Sequence, residues 1–286
     1  MICITGASGF IGGHLLKLLD TANVVCCDPR DSSMIQPEDL LEQLNKTPPS
    51  IVYHLGAVSS TTETNTHLIS VNNISFSCEL LEFCIDRSIP FVYASSASVY
   101  GLGGFGFKES TRSDPMNYYA ISKACFDDIV LQKIADNPKS KIFGMRYFNV
   151  YGNGEEHKGD MASPIHKFIR QSELGEIKIF KGSKNFLRDF VHVRDVVKMT
   201  SVAHTFKPGI YNVGTGRARS FLEVARVISD ITGVEVVEIP FPEHLVGKYQ
   251  DYTCANNQKV DRFYSHSRLT LEEGIAEVMH WWDHDA

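Results

Sequence analysis

Along the first half of the chain, short runs of consecutive apolar residues alternate with stretches in which apolar positions recur at helical spacing. Ile2–Thr5, Val24–Asp28, Ile51–Leu55, Phe91–Ser95 and Ile142–Tyr147 read as buried strands. Ile11–Thr21, Thr66–Arg87 and Asn117–Ala135 read as the helices between them. Such alternation predicts a parallel sheet covered by helices on both faces. Between Asp28 and Ile51 there is one short helical stretch, Pro37–Asn45, and no strand pattern. Beyond Tyr151 the pattern is mixed, with helices expected over Ala162–Ser172, Val193–Thr205, Ser220–Thr232 and Glu272–Trp282.

Composition narrows the picture by exclusion. The 286 residues suffice for one large α/β unit or two joined domains, and they bury a core without metal or disulfides. A net charge of −6 with scattered basic residues excludes a general nucleic-acid binder. No run reaches the roughly 20 apolar residues of a membrane span. The N-terminal MICITGASGF runs straight into a glycine loop, without the basic region and cleavage site of a signal peptide. Seven cysteines, an odd count with no CxxC pair, are expected to be reduced, in a cytoplasmic protein.

Gly6, Gly9 and Gly12 form G-x-x-G-x-x-G directly after the first strand and at the start of a helix. Glycines there permit the tight turn and let backbone N–H groups approach a pyrophosphate, whose charge the helix N-terminus favours. A glycine-rich turn alone would be weak, but Asp28 closes the second strand where a ribose-binding acid belongs. The fold is therefore expected to be a Rossmann-type doubly wound sheet lacking its third, edge strand. A smaller mixed α/β substrate domain would follow. Residues 1–148, with part of 189–213, would hold the dinucleotide, and 149–286 mainly the substrate. Asp28 favours NAD, whereas Arg30 suits the 2′-phosphate of NADP, so both remain open. The strand-end segment HLGAVSS (His54–Ser60) brings Leu55, Gly56, Ala57 and Ser59 near the cofactor; His54 itself is more often structural than catalytic at such a place.

Tyr119-x-x-x-Lys123 sets two side chains one helical turn apart on one face. A tyrosine must drop by ~3 pKa units to act as a base near neutrality, and a nearby ammonium and a cationic nicotinamide both help. Ser96, in SSASVYG, can bond the reacting hydroxyl. Each feature has a bland reading, as a common helical spacing or a plain loop; their order after a glycine loop makes the combination specific. Lys158 lies on a separate loop as a second proton carrier, or alternatively as a phosphate-binding lysine.

With these residues in view, the chain resembles the extended short-chain dehydrogenase/reductase family. That family carries T-G-x-x-G-x-x-G, S-S-x-x-x-Y-G, Y-x-x-x-K, R-Y-F-N-V-Y-G and R-D-F-V-x-V-x-D, the last at Arg188–Asp195. The likeness runs nearly end to end and is nearest to the ADP-glyceromanno-heptose 6-epimerases. It rests on GAVSSTTE (Gly56–Glu63), HKGDMAS (His157–Ser163), FKGSKNFLRDFVHV (Phe180–Val193), NVGTGRARSF (Asn212–Phe221) and IPFP…GKYQ (Ile239–Gln250). The resemblance implies Tyr119 and Lys158 as two catalytic bases, Lys123 on the nicotinamide ribose and Ser96 at the reacting oxygen. It implies NADP or NAD at Phe10, Ile11, Asp28, Asn72 and Val150. Nucleotide-sugar contacts would come from Asn149, Phe180, Lys181, Gly182, Ser183, Arg188 and Tyr249. It further implies no metal, a homo-oligomer (a pentamer by family precedent) and a place in lipopolysaccharide inner-core precursor synthesis.

Two positions depart from the family. Asp160 stands where the family has serine, and Lys167 where it has a substrate-contacting histidine. The segment between the second strand and Ile51 is also shorter. Another nucleotide-sugar epimerase or dehydratase is the nearest alternative, but Ala97 and Ser98 occupy the places of a dehydratase's Asp-Glu pair. A silent cofactor-binding relative is opposed by the intact Ser96/Tyr119/Lys123 set.

Overall fold

The computed structural model describes residues 1–20, 22–103, 106–242 and 250–285. In chain order its strands are β1 (Ile2–Thr5), β2 (Val24–Cys27), β3 (Ile51–His54), β4 (Phe91–Ser96), β5 (Ile142–Tyr147), β6 (Asn149–Tyr151), β7 (Ile177–Phe180), β8 (Leu187–His192), β9 (Gly209–Val213), β10 (Ala218–Ser220) and β11 (Val236–Ile239). The helices are α1 (Phe10–Leu19), α2 (Pro37–Lys46), α3 (Thr66–Ser70), α4 (Phe76–Asp86), α5 (Tyr118–Asp136), α6 (Pro164–Glu173), α7 (Val193–Val202), α8 (Phe221–Thr232) and α9 (Leu271–Asp285).

Six strands form one sheet in the order β2-β1-β3-β4-β5-β9, parallel throughout. Its inner strands β3 and β5 are buried at every position, as continuous apolar runs require. Successive side chains point to opposite faces. Ile4, Tyr53, Val92 and Met145 meet Leu15 of α1 and Val196 and Met199 of α7, while Cys3, Val52, Phe91 and Ile142 meet Leu40 of α2, Leu80 of α4 and Phe126 of α5. The sheet ends at β2, as the missing strand pattern after Asp28 predicts. Among the described residues, a single bridge, Cys27 to Ile35, occupies the outer edge, with Ile35 N donating to Cys26 O at 3.0 Å.

Two corrections and one addition follow. The predicted helix Thr66–Arg87 is interrupted by a π turn over Val71–Ser75, which widens the helix where Asn73 turns inward. The run Thr66–Asp86, at 21 residues and mean hydropathy 1.3, is long and apolar enough to meet the length and composition of a membrane span, contrary to expectation. Leu80, Leu81, Phe83 and Cys84 nevertheless pack on the sheet, as a core helix does. In the mixed α/β region expected beyond Tyr151 the sequence pattern bounds only the helices, and the structure adds the strands. β10-β8-β6 and the parallel pair β11-β7 consist of segments three to six residues long, too short to display a period. They pack with α6, α8 and α9 around Ile165, Ile177, Val224, Ile228 and Ile275. Thr21, at the end of the predicted first helix, and Tyr249 lie outside the described residues.

Candidate active site

A cleft of ≈560 Å³ opens over the C-terminal ends of β1, β3, β4 and β5, where open parallel sheets place their ligands. Its floor is the glycine loop. Gly6 (φ +70°) begins the bend, and a Cβ there would come within 2.6 Å of Gly56 N; one on Gly12 would lie 2.0 Å from Gly6 O. Backbone thus meets backbone between the loops that follow β1 and β3, and side chains cannot intrude. Gly9 precedes α1 with no side-chain cap, and the first turn holds no acidic residue. Its N–H groups are left to an anion, which fits the pyrophosphate of a dinucleotide.

Asp28, at the end of β2, is buried beneath this floor. Its Oδ1 accepts from Arg30 N and Nε, both at 3.0 Å, and its Oδ2 from Arg30 Nη2 at 2.8 Å and Ser8 N at 3.2 Å. Burial pushes the carboxyl up, but the Arg30 and Ser8 bonds prevail and hold it down at about 2. Arg30, not Asp28, lines the cleft. Leu55, Gly56, Ala57 and Ser59 line it as well, together with Phe10, Ile11 and Val150. His54 lies buried behind, its ring nitrogens bonded to Thr5 Oγ1 (2.7 Å) and Ser77 Oγ (2.8 Å), and burial lowers its pKa to about 3. Asn72 is outside the lining, its amide turned to Leu68 O at 2.8 Å. Its neighbour Asn73 braces the wall, exchanging bonds with Val58 N (2.8 Å) and Val58 O (3.0 Å) and donating to Ser122 Oγ.

Tyr119 and Lys123 project from the first turns of α5, which Asn117 caps through Ala120 N. Lys123 Nζ donates to Ala94 O at 2.8 Å and lies 6.0 Å from the Tyr119 ring centroid. Burial lowers Lys123 to about 8, opposed by Asp127. Burial also raises Tyr119; the Ser96 hydroxyl pulls it down and Asp127 pushes it further up. Burial thus favours the neutral phenol, and a cation entering the cleft would favour the phenolate.

Lys158 lines the same cleft, on the turn Glu156–Met161 after β6. Its Nζ meets Glu155 Oε2 at 2.7 Å and stands 4.6 Å from the centroid of the Phe10 ring. Asn149, also in the lining, pairs across β6 with Phe190 of β8. Two residues back along β8, Arg188 donates to Leu187 O at 2.9 Å and to Gln250 O, with its guanidinium against the Phe221 ring. Arg188, Phe180, Lys181, Gly182 and Ser183 belong to the β7–β8 region, apart from the cleft lining. Asp160 and Lys167 are exposed beside the cleft, and Lys167 Nζ donates to Asp160 O at 2.7 Å. Sequence patterns did not single out Glu155, Phe148, Met161 or Ser163. Only the acid–base spacing of Glu155 and Lys158, three apart, could have drawn attention to the first. Among the described residues, no group of three or more His, Cys, Asp and Glu could hold a metal ion.

Residues 2–214 match the NAD dependent epimerase/dehydratase family, and the chain belongs to it. It is an enzyme of the isomerase class that works with a nicotinamide dinucleotide. It is 40% identical to the ADP-L-glycero-D-manno-heptose-6-epimerase of Alkalilimnicola ehrlichii over 90% of this chain and 89% of that one. Identity to the enzyme of the same name from Brachyspira hyodysenteriae is 39%, over 98% of each chain. The crystal structure of the Helicobacter pylori ADP-L-glycero-D-manno-heptose-6-epimerase superposes with a TM-score of 0.87 at 29% identity, covering 99% of this chain and 96% of that one.

Proposed function

We propose that this enzyme interconverts ADP-D-glycero-D-manno-heptose and ADP-L-glycero-D-manno-heptose at C6″. The observation that carries the reading is one cleft lined by Tyr119, Lys123, Ser96 and Lys158 together. Two proton carriers in one cleft suit the inversion of a carbinol carbon through a ketone, and the similarity to heptose epimerases supplies the sugar.

The glycine loop would hold the pyrophosphate of a bound dinucleotide and Lys123 its nicotinamide ribose; such a cofactor would supply reversible hydride acceptance at C6″, with no net redox change. One of Tyr119 and Lys158 removes the hydroxyl proton while Ser96 steadies the oxygen. After rotation about C5″–C6″, the other donates the proton back. Asn149, Phe180, Lys181, Gly182, Ser183, Arg188 and Tyr249 bind the nucleotide-sugar, Arg188 with the planar fork that suits two phosphate oxygens. Residues 1–148, joined by part of 189–213, serve the cofactor, and 149–286 mainly the sugar. The cofactor is NAD or NADP: the Asp28 oxygens are engaged by Arg30 and Ser8, and Arg30 lines the cleft, where it could meet a 2′-phosphate.

The test is incubation of the purified protein with ADP-D-glycero-β-D-manno-heptose and chromatographic resolution of the C6″ epimers. Conversion to a mixture without added reductant is expected, and denaturation releases the resident dinucleotide for identification. No conversion, with the dinucleotide still released, would overturn the heptose reading and favour another nucleotide-sugar, to which Asp160 and Lys167 already point. A Lys158→Met variant is expected to lose at least ~100-fold in kcat. Near wild-type turnover would remove Lys158 from the acid–base pair.

A further inference from the structure

The loop from β6 to α6 is built around a single carboxylate. Glu155 is 0% exposed, although Glu156 and Asp160 of the same loop are exposed. Four donors converge on it. Gly152 N (3.3 Å) and Ser163 Oγ (2.7 Å) reach Oε1, and Ser163 N (2.7 Å) and Lys158 Nζ (2.7 Å) reach Oε2. Burying a carboxylate is costly unless it is paired and fully hydrogen-bonded. Lys158 forms the ion pair, and Ser163, whose Oγ also accepts from His166 N at 3.2 Å, ties the arrangement to the start of α6.

Lys158 in turn is held from two directions. Its ammonium bonds Glu155 and faces the ring of Phe10, the residue that opens α1 in the cofactor loop. Directly after it, Gly159 (φ +51°) turns the chain away. A lysine is a point charge on a flexible stem, and only such fixed contacts give it one position. Without them the ammonium would range over the cleft mouth and into solvent.

We propose that Glu155 is the positioning residue of Lys158, its buried carboxylate fixing the ammonium against Phe10 at the cleft wall. The inference rests on Lys158 being one of the two acid–base groups. Removing the carboxylate charge leaves the lysine in place chemically but not geometrically, and misplacement of this kind costs roughly 10- to 100-fold in rate.

A double-mutant cycle on the full chain separates positioning from general support of the loop. Epimerisation of ADP-D-glycero-β-D-manno-heptose is followed in the wild type, Glu155→Gln, Lys158→Met and the double variant. Glu155→Gln is expected to lower kcat about 10- to 100-fold with KM within about threefold, and to add less than about twofold once Lys158 is Met. An undiminished loss in the Lys158→Met background would overturn the proposal, since the carboxylate would then serve something other than the lysine. So would full kcat in Glu155→Gln beside a slow Lys158→Met. Wild-type turnover in Lys158→Met alone is read separately, as failure of the acid–base assignment and of the positioning role with it. Should Glu155→Gln not fold, the same cycle is run with Glu155→Asp, which keeps the charge and shortens its reach. A second readout needs no sugar. Acetylation of Lys158 by an N-hydroxysuccinimide ester, quantified by peptide mass spectrometry, is expected to be at least about fivefold faster in Glu155→Gln than in the wild type. An unchanged rate would show the lysine to be held without Glu155, and would sink the proposal.

Discussion

At the residue scale, the chemistry of the cleft is set by what each ionisable group is buried against. Tyr119 and Lys123 are both pushed toward their neutral forms by burial, and a cation beside the phenol would favour its ionised form. Asp28 shows the opposite case, because its hydrogen bonds outweigh burial and lower its pKa from 3.8 to about 2. A carboxyl with a depressed folded-state pKa contributes stability that is present above its unfolded value and lost as pH falls through the folded one. An Asp28→Asn variant should therefore be less stable than the wild type at pH 6, by about 1.5–3 kcal/mol. The gap should close as pH falls from about 4 toward 2. Urea melts of the two proteins across that range check the sign, and a gap that widened toward low pH would refute it.

At the element scale, the site depends on close backbone approach more than on particular side chains. The position of α1 against β1 requires Gly12, since any Cβ there would overlap Gly6 O. Gly12→Ala is expected to force α1 away from the loop, with a loss of about 1–3 kcal/mol. Weaker retention of the dinucleotide should accompany it, measured by calorimetry and by cofactor release on dilution. The same scale explains which elements were legible in advance. Strands β1 to β5 are four- to six-residue buried apolar runs, and α5 begins at a side-chain cap, so pattern alone marked them. The π turn left no mark, because it alters the winding of a helix and not its composition.

At the scale of the whole molecule, a buried polar network fastens α5 to the sheet. Asp127 of α5, 0% exposed, accepts from Tyr93 OH at 2.7 Å, Ser95 Oγ at 2.9 Å and Arg146 Nε at 2.8 Å. Arg146 passes the connection to Tyr100 OH at 3.0 Å, and Tyr100 to Asn212 Oδ1 of β9 at 2.7 Å. Three strands and α5 thus share one set of bonds directly behind Ser96, Tyr119 and Lys123. Removing one partner of such a pair strands the other in the interior. Asp127→Ala is therefore expected to cost about 3–5 kcal/mol, measured by urea denaturation. A loss below ~1 kcal/mol would mean that Arg146 finds another partner.

The division between what was readable and what was not follows the range of the interactions involved. Glycines at fixed spacing after an apolar run, a Tyr and Lys one turn apart and a missing strand pattern after Asp28 are local facts. Sterics and helical geometry act over a few residues, so the sequence by itself determined the parallel sheet, its short edge and the cofactor loop. Whether Lys158 and Tyr119 line one cleft was a different kind of question. It depends on β6, a three-residue strand that exists only because β8 offers it bonding partners. Glu155 likewise looks like any loop acid until Gly152, Lys158 and Ser163 enclose it. Asp28 and Arg30 read as two separate cofactor contacts, and only folding revealed them as one ion pair with the arginine toward the cleft. Burial and pairing are properties of where distant segments meet, and the tertiary structure alone decides them.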